Sequence, residues 1–291
     1  MAVLLKPYRT IKGKRGTEST FYLADCLKVF HQLPSQSVDV IVTSPPYNLG
    51  IRYSTYQDTL TPEQYLEWTD EWIAAVARVL KTDGSLFLNV GARPSDPWTA
   101  LDVAQAARPH LRLQNIIHWV KSIAIEKSLA GARSGLKDDL AVGHYKPINS
   151  KRFLNDCHEF VFHFSQAGNT PLDRQAVGVK YQDKSNIARW AGGGSDLRCR
   201  GNTWFLPYDT IQSRDKERPH PATFPWRLPA YCLKLHGLDR VRLAVDPFLG
   251  LGSSAVACAT LGVNFAGIEL DAHYLKEAVA RTRAALKKSA K

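Results

Sequence analysis

Short apolar runs recur at residues 38–42, 85–90, 113–120, 158–164, 241–245 and 265–268, and most are separated by stretches whose apolar residues fall at helical spacing. A run as apolar as Leu86-Phe87-Leu88 must be covered on both faces, which a parallel sheet between two helical layers provides. The alternation therefore predicts an α/β fold with a mostly parallel, doubly wound sheet and helices on both faces. Residues 158–164 alternate strictly and read as a further strand. The helix starts are equally readable. Thr61-Pro62-Glu63-Gln64 offers an N-cap, a proline at the first position and a capping-box glutamine, and Trp72, Ile73, Val76 and Leu80 then share one face with Trp68. Further helices are expected at about 98–107, 225–236, 253–261 and 272–287.

The most informative connection is Thr43-Ser44-Pro45-Pro46-Tyr47-Asn48, immediately after the first of these runs. Two consecutive prolines fix φ and remove two backbone donors, so carbonyls here can accept hydrogen bonds from a ligand. An amino group held between Ser44 Oγ and a proline carbonyl, with Tyr47 packed on its ring, suits that geometry. Asn48 is placed to orient Tyr47 or the loop that follows. Residues 49–60 show no period and read as a mobile loop, a common place for a lid.

A second constellation is Asp246-Pro247-Phe248-Leu249-Gly250-Leu251-Gly252-Ser253-Ser254, between a strand and a helix. Glycines at 250 and 252 let backbone approach a ligand, and a helix beginning near Ser253 presents unpaired N–H groups. The next strand ends in Glu269, placed to accept hydrogen bonds from ribose hydroxyls. The G-x-G spacing lacks a third glycine and follows Asp-Pro-Phe, which suits an adenosyl ligand with an amino-acid tail better than a pyrophosphate.

The formal net charge is +11 over 291 residues, which favours a polyanionic partner and suits one α/β domain with an insertion. The basic residues cluster. Residues 1–20 carry Lys6, Arg9, Lys12, Lys14 and Arg15 and read as an arm ordered on a partner. A basic loop at 123–155 includes Lys146, Lys151 and Arg152. Between 166 and 218, Arg174, Lys180, Lys184, Arg189, Arg198, Arg200 and Arg214 are interleaved with Tyr181, Trp190, Trp204 and Tyr208, a mixture suited to phosphates and unstacked bases. The Gly192-Gly193-Gly194 run argues against regular structure there. Cys26, Cys157, Cys199, Cys232 and Cys258 lack C-x-x-C spacing, which points to a reducing compartment and to no metal site. No run reaches membrane-spanning length, so a soluble, cytoplasmic protein is expected.

Together, Asp246-Pro-Phe-x-Gly-x-Gly and Thr43-Ser-Pro-Pro-Tyr resemble the motifs of the DNA amino-methyltransferases, S-adenosylmethionine-dependent enzymes that methylate cytosine N4 or adenine N6. The catalytic motif precedes the cofactor motif, as in the circularly permuted β-class, and the match covers most of the chain. The resemblance implies a Rossmann-like methyltransferase fold. It places residues 21–165 in a catalytic half, 166–218 in a target-recognition region and 219–291 in a cofactor-binding half. It assigns Asp25, Thr43, Asp246, Pro247, Phe248, Gly250, Gly252, Ser253 and Glu269 to the cofactor. His220, Pro221 and Phe224, in His220-Pro-Ala-Thr-Phe-Pro225, would close over its methionine end. Ser44, Pro45, Pro46 and Tyr47 become the catalytic turn, and Lys146, Lys151, Arg152, Arg174, Lys180, Lys184, Arg189, Trp190, Arg198 and Arg200 the contacts to double-stranded DNA.

No Pro-Cys nucleophile motif is present, so covalent attack on a pyrimidine ring is not supported, and Cys26 and Cys258 read as core thiols. Direct transfer to an exocyclic amine of a flipped-out base remains. Ser44, where the family's adenine enzymes more often carry Asp, favours cytosine N4. Adenine N6 stays open, as does a basic nucleic-acid-binding protein that keeps the cofactor fold without turnover. The resemblance also leaves open a separate cognate restriction endonuclease and a homodimer. Trp68, Trp72, His118, His158 and His163 read as packing residues.

Overall fold

The computed structural model describes residues 5–13, 16–48, 59–131, 134–143, 149–190, 195–208 and 223–288, the side chain of Trp190 excepted. In chain order the strands are β1 (Arg9–Lys12), β2 (Glu18–Leu23), β3 (Val38–Thr43), β4 (Leu80–Val90), β5 (Arg112–Val120), β6 (Ser122–Ile125), β7 (Leu140–Gly143), β8 (His158–Ser165), β9 (Val179–Lys180), β10 (Leu197–Arg198), β11 (Thr203–Phe205), β12 (Leu243–Asp246) and β13 (Asn264–Glu269). The helices are α1 (Cys26–Phe30), α2 (Pro62–Val79), α3 (Trp98–Ala106), α4 (Ser185–Trp190), α5 (Arg227–His236), α6 (Ser253–Leu261) and α7 (Ala272–Lys288).

One sheet runs β1-β2-β13-β12-β3-β4-β8-β5-β11. Its middle strands β2, β13, β12, β3 and β4 are mutually parallel, and β8 is antiparallel to both of its neighbours. Helix α2 carries β3 to β4 in one direction, and α6 carries β12 to β13 in the other. Strands β12 and β3 are therefore neighbours whose connections diverge, the arrangement that opens a crevice at their carboxyl ends.

All six residues of β3 are buried because both faces are covered. Val40 and Val42 pack into the layer built by α5, α6 and α7, and Ile41 into the layer built by α1, α2 and α3. Asp39 is the polar exception. Its carboxylate accepts from Lys81 Nζ at 2.6 Å and from the backbone N–H groups of Arg242 and Leu243 at 2.9 and 2.8 Å, which ties the start of β3 to that of β12. The capping box of α2 forms: Gln64 N donates to Thr61 Oγ1, and Thr61 N donates back to Gln64 Oε1.

Where the structure departs from the local pattern, longer-range pairing decides. Residues 9–12, expected in an unpaired arm, form edge strand β1 against β2. Strict alternation in β8 predicts one solvated face, yet every residue from Val161 to Ser165 is buried because β4 and β5 flank it under both helical layers. The buried polar groups of β8 are satisfied across the sheet: His163 meets Ser85 Oγ at 2.9 Å and Asn115 Nδ2 at 3.0 Å. The basic segment 123–155 contains the antiparallel β6–β7 pair. The stretch 166–218, read as irregular, contributes the β9–β10 pair and α4, and its β11 extends the main sheet alongside β5, with Trp204 buried. Lys14, Arg15, Arg133, Lys146, Gly192 to Gly194, Arg214, His220, Pro221 and residues 49–58 lie outside the described residues. No helix among those described is long and apolar enough to cross a membrane.

Candidate active site

At the carboxyl ends of β2, β3, β12 and β13 lies a cavity of about 240 Å³. Ser44 to Tyr47 line it after β3, Ala24 to Cys26 after β2, Pro247 to Leu251 after β12, and Glu269 to Asp271 after β13. Trp68, Thr223, Phe224, Ser253, Ile268 and Tyr274 complete the wall. Among the described residues the charged lining consists of three carboxylates, Asp25, Glu269 and Asp271. In a chain of net charge +11, that makes the cavity a local exception. Such a wall repels a pyrophosphate and suits a ligand that is itself cationic.

Asp25 caps α1: its Oδ1 accepts from the N–H groups of Leu27 and Lys28 at 2.9 and 3.4 Å, which fixes the carboxylate at the rim. Glu269 ties two loops. Its Oε2 accepts from Gly250 N at 2.7 Å and its Oε1 from Asp271 N at 2.9 Å, while burial raises its pKa. Gly250 has φ of 52°, a backbone that glycine adopts without strain. Phe248 packs against Trp68 and Trp72 with ring centroids 5.5 and 5.2 Å apart. Trp68, read from its spacing as a core residue, thus shares an aromatic wall of the cavity, and only Trp72 is fully buried. Ser253 donates to the Phe224 carbonyl at 2.7 Å, which docks the segment at 223–225 on the start of α6.

Three residues assigned to the cofactor do not line the cavity. Gly252, with φ of 79°, faces α7: a Cβ there would stand 2.7 Å from the Cβ of Ala278. Its lack of a side chain serves helix packing. Thr43 Oγ1 donates to Asp246 Oδ1 at 2.7 Å, and Phe248 N donates to the same oxygen at 3.1 Å, beneath the cavity floor. Burial pushes the Asp246 pKa up to about 6.

In the catalytic turn, the Tyr65 hydroxyl donates to the Pro46 carbonyl at 2.8 Å, so that carbonyl is taken. The Pro45 carbonyl accepts no hydrogen bond from the described residues. Ser44 Oγ lies 2.6 Å from the Tyr47 hydroxyl. Tyr47 is 8 % exposed, with its ring in the core layer beneath the cavity and its hydroxyl turned into the protein. Asn48 adopts φ of 54° and grips Leu60 twice, Nδ2 donating to its carbonyl at 2.8 Å and Oδ1 accepting from its N–H at 3.0 Å. Behind Tyr47 stand Asn89, Glu159 and Lys121, on β4, on β8 and just after β5, which no local motif marks.

The basic residues divide. Lys151, Arg152, Arg174, Lys180, Arg189 and Arg198 are exposed. Lys184 is paired with Asp196 at 2.6 Å, and Arg200 donates to the Val177 carbonyl at 2.8 Å with its guanidinium 5.1 Å from the Tyr231 ring centre. The five cysteines are reduced, and burial raises the thiol pKa of Cys26 to about 12 and that of Cys258 further.

The N6/N4 DNA methylase family model matches residues 38–280. Type II methyltransferase M.HpaI of Haemophilus parainfluenzae is 26% identical over 259 residues, spanning 89% of this chain and 72% of that protein. Among solved structures, the PvuII DNA methyltransferase (cytosine-N4-specific) superposes with a TM-score of 0.66 at 16% identity, over 99% of this chain and 96% of that one. The M1.HpyAVI–SAM complex gives 0.53 at 20% identity, over 91% of this chain and 99% of that one. With the diverging connections of β3 and β12, the acidic cavity and the proline turn at one crevice, the chain belongs to the N6/N4 DNA methylase family and is an S-adenosylmethionine-dependent DNA amino-methyltransferase.

Proposed function

We propose that the protein methylates the exocyclic N4 amine of cytosine, in a base flipped out of duplex DNA, by direct transfer without a covalent enzyme intermediate. The observation that carries this reading is that Ser44 and Pro45 line the cavity edge together, offering Ser44 Oγ and the Pro45 carbonyl as a pair of acceptors, while the neighbouring Pro46 carbonyl already receives the Tyr65 hydroxyl. An exocyclic amine has two hydrogens and a lone pair delocalised into its ring. Two acceptors that hold the hydrogens also aim the nitrogen and draw its lone pair out of conjugation. Ser44, in place of the Asp more frequent in the adenine enzymes this motif resembles, favours cytosine. The PvuII enzyme with the shared fold is named for the same specificity.

The residues around the cavity fit the cofactor. S-Adenosylmethionine, when bound, supplies a sulfonium-borne methyl group as the electrophile. Asp25, Glu269 and Asp271 would offset its positive charges and meet its hydroxyl and amino donors, and Phe248 and Trp68 would cover its ring. The segment around Phe224, pinned by Ser253, would border the amino-acid end, with His220 and Pro221 next to it in sequence. Tyr47 borders the cavity but is buried in the core layer, so it offers a base little ring surface, and in place of the stacking expected from the sequence its hydroxyl holds Ser44. The flipped base costs a few kcal/mol, which phosphate contacts from the exposed lysines and arginines of segments 151–152 and 174–198 offset.

The decisive experiment incubates duplex DNA with the protein and methyl-labelled S-adenosylmethionine and then digests it to nucleosides. Label in N4-methylcytosine is expected. Label confined to N6-methyladenine overturns the cytosine assignment, and no transfer to any DNA overturns the catalytic reading.

A further inference from the structure

The Tyr47 hydroxyl carries one hydrogen and has four polar neighbours. Three of them can only accept: the Asn89 carbonyl at 3.3 Å, Asn89 Oδ1 at 3.3 Å and Glu159 Oε2 at 3.2 Å. The orientation of Asn89 is settled by its own partners, because its Nδ2 reaches Glu159 Oε2 at 3.1 Å and the Phe160 carbonyl at 3.0 Å, both acceptors. Lys121 Nζ pairs with Glu159 Oε1 at 3.1 Å, in a partly buried place, and a carboxylate oxygen beside an ammonium accepts hydrogen bonds. Burial and the Glu159 charge hold the Tyr47 phenol well above its ordinary range, so it keeps its hydrogen.

The single phenolic hydrogen must therefore point at the acceptor cluster, since otherwise the Tyr47 oxygen would face three sets of lone pairs. It follows that Ser44, at 2.6 Å, donates to Tyr47. A serine whose hydrogen is directed to Tyr47 can offer only lone pairs in other directions, and Ser44 lines the cavity. Space for this arrangement is made by Gly91: a Cβ at that position would stand 3.0 Å from Tyr47 Cε2 and 3.2 Å from Glu159 Cδ.

We propose that Glu159 is a positioning residue for methyl transfer: acting through Tyr47, its carboxylate turns the Ser44 hydrogen away from the cavity, so that Ser44 meets the target amine as a hydrogen-bond acceptor. The proposal rests on the reading of Ser44 as an amine acceptor. Glu159 touches neither the base nor the cofactor. It sets the direction of a two-link hydrogen-bond chain, and a neutral amide in its place allows the direction to reverse. The Gln NH₂ can donate to the Tyr47 oxygen, Tyr47 then donates to Ser44, and the Ser44 hydrogen faces the amine hydrogens it should receive.

The test is single-turnover methyl transfer to duplex DNA by the full chain and by Glu159→Gln, Glu159→Asp, Tyr47→Phe, the Tyr47→Phe/Glu159→Gln pair and Ser44→Ala. Glu159→Gln should slow transfer by about tenfold or more while leaving KM for DNA and for S-adenosylmethionine within about twofold. Glu159→Asp should recover part of the rate, because the charge returns. The double variant should be no slower than Tyr47→Phe alone, since a residue that acts through Tyr47 has nothing left to orient. Wild-type rates in Glu159→Gln, or losses that multiply in the double variant, overturn the proposal. Should Glu159→Gln fail to fold, Tyr47→Phe decides, because a wild-type rate there removes the link. Ser44→Ala separates the two readings: slow transfer in Ser44→Ala with full rate in Glu159→Gln removes only the role of Glu159, whereas full rate in Ser44→Ala removes the acceptor reading beneath it.

Discussion

Thr43 and Asp246 end the two neighbouring strands whose connections diverge at the centre of the sheet, and the Thr43 hydroxyl donates to the Asp246 carboxylate across 2.7 Å. That bond joins the strand that delivers the catalytic turn to the strand that delivers the glycine loop. The same Asp246 oxygen also receives the N–H of Phe248, so a single carboxylate sets the spacing between the two halves of the site. Thr43→Val keeps the shape and deletes the donor. Removing one partner of a fully buried bond should lower unfolding free energy by about 1–3 kcal/mol and shift the urea midpoint accordingly. An unchanged midpoint would show that the clamp contributes nothing.

What was legible beforehand follows how local the cause is. The capping box at Thr61, the apolar run of β3 and the glycine loop before Ser253 each lie within one short window, and each forms. The reach of the sheet beyond those windows was not legible. β11 is three residues long and exists because Trp204 finds a buried place beside β5. Gly252 could be read as a ligand-facing glycine until Ala278, a residue of the next helix, is seen to occupy the space of its missing side chain. Glu159 lies 112 residues from Tyr47 in sequence, so no motif links them. Trp68 and Trp72 share one helical face, and only the position of Phe248 shows that one of them borders a cavity.

The buried pair His163 and His236 predicts an acid-side loss of stability. Each ring bonds Ser85 Oγ at 2.9 Å, and burial, the largest cause, lowers their pKa values to about 3 and about 4 from the ordinary 6.5. The unfolded chain binds protons below pH 6.5 that the folded chain refuses. Their stabilisation is full above that pH and is lost as pH falls toward 4. Asp246, raised to about 6 from 3.8, acts in the opposite sense and returns one proton's worth over the lower part of that window. With two histidines against one carboxylate, the net effect of these three groups is a decline in stability on the order of 1 kcal/mol per pH unit between pH 6 and pH 4. Denaturant unfolding across that range should show the decline, and His163→Gln should flatten it. Parallel slopes in the two proteins would contradict the assignment.

Glu269 is predicted to act on the cofactor by holding a loop as well as by direct contact. Both carboxylate oxygens are occupied by backbone donors, from Gly250 and Asp271. Glu269→Gln leaves one oxygen acceptor and sets an NH₂ group against the other N–H, which releases either the glycine loop or the turn before α7. Affinity for S-adenosylmethionine measured by calorimetry should fall about tenfold or more, which is about 1.4 kcal/mol. An unchanged Kd would mean that neither tie matters to the bound ligand.

The last prediction separates arginines that hold the fold from side chains that meet DNA. Lys180 and Arg198 sit opposite each other's neighbours on the β9–β10 pair, and both are exposed. Arg200, two residues further on, is anchored to the Val177 carbonyl and packed over Tyr231, which in turn meets Trp204 with ring centroids 5.6 Å apart. Lys180→Ala and Arg198→Ala should weaken DNA binding without moving the thermal midpoint. Each should also make the plot of log affinity against log salt shallower by about one unit per phosphate contact removed. Arg200→Ala should do the reverse, lowering stability by about 1–2 kcal/mol through lost packing and an unpaired carbonyl while the folded protein keeps its salt slope. If Arg200→Ala instead flattens the salt dependence and leaves stability intact, its guanidinium leaves Tyr231 for a phosphate in the complex. The boundary between scaffold and DNA surface then moves inward to the helix α5 that carries Tyr231.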